Sequence, residues 1–349
     1  MKKLVSLILC LLVLTACVSA FAANDNVVYV CNYFDYIDES VLELFEQETG
    51  IHVEYINLMD NEALLQEMEI SPAAFDVIVP SDYMVERLIA RDMVAELDWE
   101  KLPNAAQYTL DYLKNPAYDP EGKFSVPYMW GTLGILYNTK MVEGTVDSWA
   151  DLWDEKYANN VIMMDSLRDA MGIGLKVLGY SMSSTNEEEL FAATDKLVEQ
   201  KQKGIVRAYQ LDETKDRMVG GEAALAVVYS GDAWFAIDEN PDLAYVVPKE
   251  GSNIWVDNMM VPKQAPHYDN ALAFIDFMCR PEIARMNCEK IGYSSPNSGA
   301  IAGMGEEYAA NRVQNPDDET VARCEIYHDI PAEVLKDYND LYNEVLNAH

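Results

Sequence analysis

Aromatic rings and carboxylates recur together just after the apolar runs of this chain. The segments are Asn32-Tyr33-Phe34-Asp35-Tyr36, Pro80-Ser81-Asp82-Tyr83, Asp165-Ser166-Leu167-Arg168-Asp169, Ser230-Gly231-Asp232-Ala233-Trp234 and Trp255-Val256-Asp257. No cluster of Lys or Arg accompanies them. Rings attract ammonium groups through their quadrupole and cover methylenes, and carboxylates offset a charge that burial alone would make costly. The inventory therefore suits a cation with an apolar body. Each member also has a plainer reading. Asp35, Asp82 or Asp232 taken singly fits a helix cap. Trp149 and Trp153, four apart on a helix begun by Ser148, fit packing, and Met163, Met164, Met259 and Met260 fit the core. Trp255 and Asp257 stand out. Two apart on one strand, they project from the same face, and an acid beside an indole on a core face needs a partner.

The surrounding pattern supplies elements that would bring these segments together. Strand-like runs at 27–32, 51–57 and 75–79 alternate with amphipathic helices at 39–49, stopped by Gly50, and at 60–70. This β-α-β-α-β opening predicts a mostly parallel sheet with helices on both faces. A second α/β series contains strand 161–164, helices 170–179 and 186–203, strand 205–210, a short helix ending at Val219 and strand 223–229. Strands 243–247 and 254–261 and helices 268–279, 281–291 and 331–346 complete the pattern. In open α/β sheets ligands sit beyond the carboxyl ends of the strands, where the rings and acids fall. No flexible linker separates the two series, so the expected fold is α/β with two lobes that hinge about a shared cleft.

With 59 Asp plus Glu against 25 Lys plus Arg, the net charge is -34, which repels a polyanion and excludes nucleic acid as a partner. The 21 Tyr, 9 Phe and 6 Trp separate the chain from acidic disordered proteins, and its 349 residues suit about two domains. Lys2, Lys3 and the apolar run that follows read as an export signal too short to span a membrane as a stable helix. Two cleavage sites compete. Leu14-Thr15-Ala16-Cys17 reads as a bacterial lipobox, which is preferred, and Ala20-Phe21-Ala22 as an ordinary signal-peptidase site. The lipobox makes 1–17 a lipoprotein-type signal peptide, Cys17 the lipidated residue and 18–26 a tether to the membrane. Loss of Lys2 and Lys3 takes the charge from -34 to -36. The remaining Cys31, Cys279, Cys288 and Cys324 allow three full pairings; one disulfide, Cys288 with Cys324 by preference, fits an exported chain, although a core of this size needs no staple. The scattered His52, His267, His328 and His349 and the lack of CxxC argue against a metal, and no cofactor is expected. GxSxG, P-loop, HExxH and GxGxxG are absent from their strand-helix contexts. A paired-carboxylate glycosidase is the enzyme alternative, disfavoured because no single acid pair has distinct acid and base surroundings.

The chain resembles the bacterial extracytoplasmic polyamine-binding proteins, the spermidine and putrescine receptors of ATP-binding-cassette (ABC) importers. The resemblance rests on Asn32-Tyr33-Phe34-Asp35-Tyr36, Val79-Pro80-Ser81-Asp82-Tyr83, Pro127-Tyr128-Met129-Trp130-Gly131, Ser148-Trp149-Ala150-Asp151-Leu152-Trp153, Pro248-Lys249-Glu250-Gly251, Trp255-Val256-Asp257 and Ile291-Gly292-Tyr293-Ser294-Ser295-Pro296-Asn297, in order and spacing from about Val27 to Ala300. It implies a periplasmic-binding-protein-like fold with a hinge of crossing strands, with 27–130 plus 257–300 as one lobe and 131–256 plus 301–349 as the other. It further implies a non-enzymatic, monomeric receptor that hands a polyamine to an ABC permease. By position the ligand box comprises Tyr33, Phe34, Tyr36, Ser81, Tyr83, Asp169, Tyr229, Asp232, Trp255, Asp257 and Tyr293, with Asp257 the foremost acid. Tyr33 replaces the usual Trp, Phe34 a Thr or Ser, Tyr229 a frequent Trp, and Asp169 a Glu. Ser166 falls where the spermidine-type pattern has an acid, whereas Asp232 matches an acid of the putrescine type, a mixed pattern that leans toward putrescine. A receptor of the same fold for another cationic or neutral solute, such as a sugar, is the alternative.

Overall fold

The computed structural model describes residues 26–348 except Met59 and Asp212. The expected signal peptide, Cys17 and the tether up to its last residue lie outside the described residues. Strand β1 (Val27–Asn32) pairs in parallel with β2 (His52–Asn57) and β3 (Val77–Ile78), giving the order β2-β1-β3. The intervening helices have the caps their sequences supply. Glu39–Thr49 starts where the Asp38 carboxylate accepts the Ser40 N–H and stops at Gly50, whose φ of 72° is open to glycine without penalty. Asn61–Ile70 starts where Asp60 accepts the Ala63 N–H.

The second sheet contains β4 (Val126–Asn138), β5 (Val161–Met164), β6 (Val206–Gln210), β7 (Leu225–Tyr229) and β8 (Leu243–Val246) in the order β6-β5-β7-β4-β8. Strand β9 (Ile254–Met259) lies antiparallel to the first half of β4, while β7 and β8 flank its second half. Thus β4 leaves one hydrophobic core, which holds Val28, Val30, Phe45, Met129, Phe274 and Phe277. It enters another, which holds Leu133, Ile135, Trp149, Met163, Leu225 and Tyr338. The far end of β9 reaches the first sheet, where Ile78 and Met260 exchange backbone hydrogen bonds. The two cores are therefore joined by crossing strands, as expected. From the later chain, Met304 and Tyr308 pack against the first core, and Tyr327 through Val345 contribute to the second.

The 13-residue strand β4 has no alternating pattern, because it is covered on both faces along almost its whole length. Its Pro127, which lacks an N–H, coincides with a register irregularity opposite β9. Gly131 and Gly134 keep the strand clear of large rings: a Cβ on Gly131 would lie 2.5 Å from the Trp255 ring, and one on Gly134 2.5 Å from Tyr245. The structure also forms the helices Asp82–Ala90, Ser230–Glu239, Ser298–Ala310 and Asp318–Arg323, which the sequence pattern above does not include. Trp149 and Trp153 are buried in the second core, as the packing reading requires.

The cysteine expectation needs correction. Cys31, Cys279, Cys288 and Cys324 are all free thiols, so the Cys288–Cys324 pairing is not formed. Cys288 belongs to the first core, where its Sγ lies 3.0 Å from the Tyr293 carbonyl and 3.0 Å from the Tyr308 hydroxyl. Cys324 packs in a separate cluster with Met84, Leu88 and Ile254. With two large cores, the chain has no need of a covalent staple.

Candidate functional site

Strand β9 carries the first acid of the site. Asp257 is 6% exposed, and its carboxylate accepts the Tyr36 hydroxyl at 2.6 Å on one oxygen and the Ser81 hydroxyl at 2.6 Å on the other. These partners come from the loops after β1 and β3, as the strand-end reading requires. Burial pushes the Asp257 carboxyl up to about 6, against the lowering effect of its two hydroxyl donors. Asn61 supports the arrangement: its amide donates to Ser81 Oγ at 3.1 Å, and its carbonyl accepts the Tyr33 hydroxyl at 2.9 Å.

From this acid a line of rings leads to the second. Tyr33 and Tyr36 stand 5.8 Å apart, Tyr36 and Tyr293 6.1 Å, Tyr293 and Trp255 4.7 Å, and Trp255 and Tyr229 6.1 Å, each pair close to edge-on. Two glycines permit the crowding. Gly131 leaves room for the Trp255 ring, and a Cβ on Gly231 would come within 2.3 Å of Tyr293. At the far end the Tyr229 hydroxyl donates to Asp169 Oδ2 at 2.8 Å, Ser166 to the same oxygen at 2.6 Å, and Tyr327 to Oδ1 at 3.0 Å. Asp169 is buried at the start of helix Leu167–Val177. Asp232 opens helix Ser230–Glu239 and is half-buried; its negative charge helps hold the Tyr229 and Tyr245 hydroxyls above their ordinary range, behind the larger effect of burial.

Tyr83 packs between the second core and the separate cluster that holds Met84 and Leu88, donating to Glu62 at 3.2 Å, with the Arg87 and Arg168 guanidinium groups 5.8 and 5.7 Å from its ring centre. Phe34 does not join the rings: it is 63% exposed, on a turn whose next residue, Asp35, has a φ of 51°. The structure thus brings Tyr33, Tyr36, Ser81, Tyr229, Trp255, Asp257 and Tyr293 into one connected group with Asp169 at its end, and leaves Phe34 outside. Asn61, Tyr128 and Tyr327 were missed. Tyr128 packs edge-on to Tyr36 at 5.6 Å and donates to the Tyr36 carbonyl. It lies in the Pro127-Tyr128-Met129-Trp130-Gly131 segment that carries the family resemblance, which was the available signal. Tyr327 is 158 residues from its partner Asp169 and had none.

The crossing strands and the site between the two cores are those of a two-lobed solute-binding protein. The model of the bacterial extracellular solute-binding proteins matches residues 40–314, and the chain belongs to that family. It is 33% identical over 314 residues, 89% of each chain, to a spermidine/putrescine-binding periplasmic protein of Salmonella typhimurium. Among solved structures it resembles the spermidine/putrescine ABC transporter substrate-binding protein PotD of Streptococcus pneumoniae, with 37% identity, a TM-score of 0.83, and 92% of this chain and 98% of that one covered. The TpPotD lipoprotein of Treponema pallidum is similar at 26% identity and a TM-score of 0.81, over 91% of this chain and 99% of that one.

Proposed function

We propose that this protein is an extracytoplasmic receptor that takes a polyamine into the cleft between its lobes and delivers it to an ABC permease. The observation that carries the reading is the line of four rings, Tyr36, Tyr293, Trp255 and Tyr229, that runs from one buried acid, Asp257, to another, Asp169, with Tyr33 packed beside Tyr36. Rings cover the methylenes of a diamine, and the acids meet its ammonium ends. Relatives named for spermidine and putrescine support the same reading. The ligand residues are Tyr33, Tyr36, Ser81, Tyr83, Asp169, Tyr229, Asp232, Trp255, Asp257 and Tyr293, and the exposed Phe34 is left out of the set. The division into 27–130 plus 257–300 and 131–256 plus 301–349, the monomeric state, the lipid anchor at Cys17 and the lack of catalytic activity belong to the same proposal.

Selectivity follows from the count of acceptors. Spermidine carries one more amine than putrescine, and Ser166 offers no charge to receive it; its hydroxyl is already given to Asp169. Putrescine should therefore bind at least as tightly as spermidine, and Asp232→Asn should weaken both. Calorimetry with putrescine, spermidine, cadaverine and maltose tests the proposal. Binding of the amines and not of maltose is the expected result, and binding of maltose alone would overturn it.

A further inference from the structure

Asp82 is the most buried charged group beside the site that the ligand box does not use. It is 1% exposed, in the first turn of helix Asp82–Ala90, immediately after Ser81. Ser81 occupies the N-cap position yet makes no cap hydrogen bond, because its hydroxyl is given to Asp257. Asp82 receives a first-turn N–H in its place: Oδ1 accepts the Tyr83 N–H at 2.7 Å. Its other oxygen reaches across to β9 and accepts the Val256 N–H at 3.2 Å. Val256 lies between Trp255 and Asp257, and its own side chain is fully buried.

We infer that Asp82 is the positioning residue of the cation anchor: by gripping the Val256 backbone it fixes the stretch of β9 that aims Trp255 and Asp257. This rests on the reading of Asp257 as the anchor. Consecutive residues then hold one strand from two sides, Ser81 through the Asp257 side chain and Asp82 through the backbone one residue before it. A tight fit at this point matters because the ring and the acid must both meet one small cation, and a shift of under an ångström spoils one or the other contact. The physical cost of the choice is visible. A carboxyl with two backbone donors and almost no solvent is expensive to ionise, and burial, with Asp257 adding to it, holds its proton affinity well above the ordinary range, while the two backbone donors and then Arg168 pull it down. The groups that face it are Asp257 on β9, Arg168 at the start of helix Leu167–Val177, Tyr83 on its own helix, and Tyr118, whose hydroxyl donates to Asn258 at 3.1 Å. An apolar residue would fill the place without that cost, but would leave the Val256 N–H without an acceptor.

Calorimetry of the full chain with putrescine and with spermidine tests this. Asp82→Ala should raise the dissociation constant at least tenfold, and Asp82→Asn, which keeps a carbonyl acceptor for Val256, should stay within about threefold of wild type. In the Asp257→Asn background, adding Asp82→Ala should weaken binding clearly less than it does in the wild type, because the acid it positions is already gone and only the aim of Trp255 is left to lose. A merely structural role would instead give additive losses, and these would overturn the inference, as would an Asp82→Ala variant that binds like wild type. If Asp82→Ala does not fold, Asp82→Asn decides alone: binding within about threefold supports the inference, and a larger loss overturns it. A wild-type chain that binds neither amine overturns the polyamine reading, and the inference with it.

Discussion

Asp257 and Asp169 are both buried and both hold tyrosine hydroxyls, but they are furnished differently. A carboxylate has about four lone-pair positions. Among the described residues, Asp257 gives one on each oxygen to a hydroxyl, leaving room on both for an ammonium group. Asp169 receives two hydroxyls on Oδ2 and one on Oδ1. Its capacity is largely taken up by Ser166, Tyr229 and Tyr327, so its contribution to a cation runs mainly through its charge and through the tyrosine oxygens it orients. In the proposed box the two acids would thus serve as an anchor and a support, the difference being set by how many donors the fold has already placed on each.

The most direct way to break this comparison is to neutralise the two acids separately. Asp257→Asn should weaken polyamine binding by about 2 to 5 kcal/mol, because it removes a buried charge that faces another. Asp169→Asn should cost about half as much by calorimetry; equal losses would show that the two ends are equivalent. The indole between the acids comes next. Trp255→Leu retains apolar area and loses the quadrupole, for an expected loss of about 1 to 2 kcal/mol, and a full-strength variant would make Trp255 a packing residue.

A pH series sharpens the anchor's side of the comparison. Asp257 is an acid whose value in the folded, empty protein is raised, to about 6. The destabilising effect of its buried charge is therefore absent below the unfolded value near 4, grows between the two, and is complete above about 6. An ammonium group relieves it only when the carboxylate is ionised. Affinity should be level above about pH 7 and roughly tenfold weaker at pH 5, about 1.4 kcal/mol; Asp257→Asn should flatten that profile, and a profile unchanged by the variant would place the titrating group elsewhere. The smallest effect is expected at the rim. Arg87 on helix Asp82–Ala90 meets Asp329 at 2.6 Å, with side-chain exposures of 17% and 28%. Such a partly exposed pair is worth under about 1 kcal/mol, so Arg87→Ala should speed polyamine release less than about fivefold in stopped-flow measurements; a larger change would make this pair a principal clamp on the closed form.

Legibility in the sequence followed locality. The helices Glu39–Thr49, Asn61–Ile70 and Pro281–Ile291 were readable because caps, stops and apolar spacing lie within a dozen residues of one another. Strand β4 was not, since burial on both faces erases the alternation that marks a strand, and its glycines report on Trp255 and Tyr245, more than a hundred residues away. The pairing of Cys288 with Cys324 failed for a related reason: spacing cannot tell which core a thiol enters.

By itself, the sequence determined the chemical inventory of the site and its position at strand ends, because ring and acid types are properties of residues and the two periodicities place them on the connections. The tertiary structure alone decided which acid is free to hold a cation, which rings touch, and that Phe34 stands aside. Those depend on hydroxyls brought from positions 36, 81, 229 and 327 to carboxylates at 257 and 169. A hydrogen bond across two hundred residues leaves no local pattern; it exists only once the crossing strands have set both cores in place.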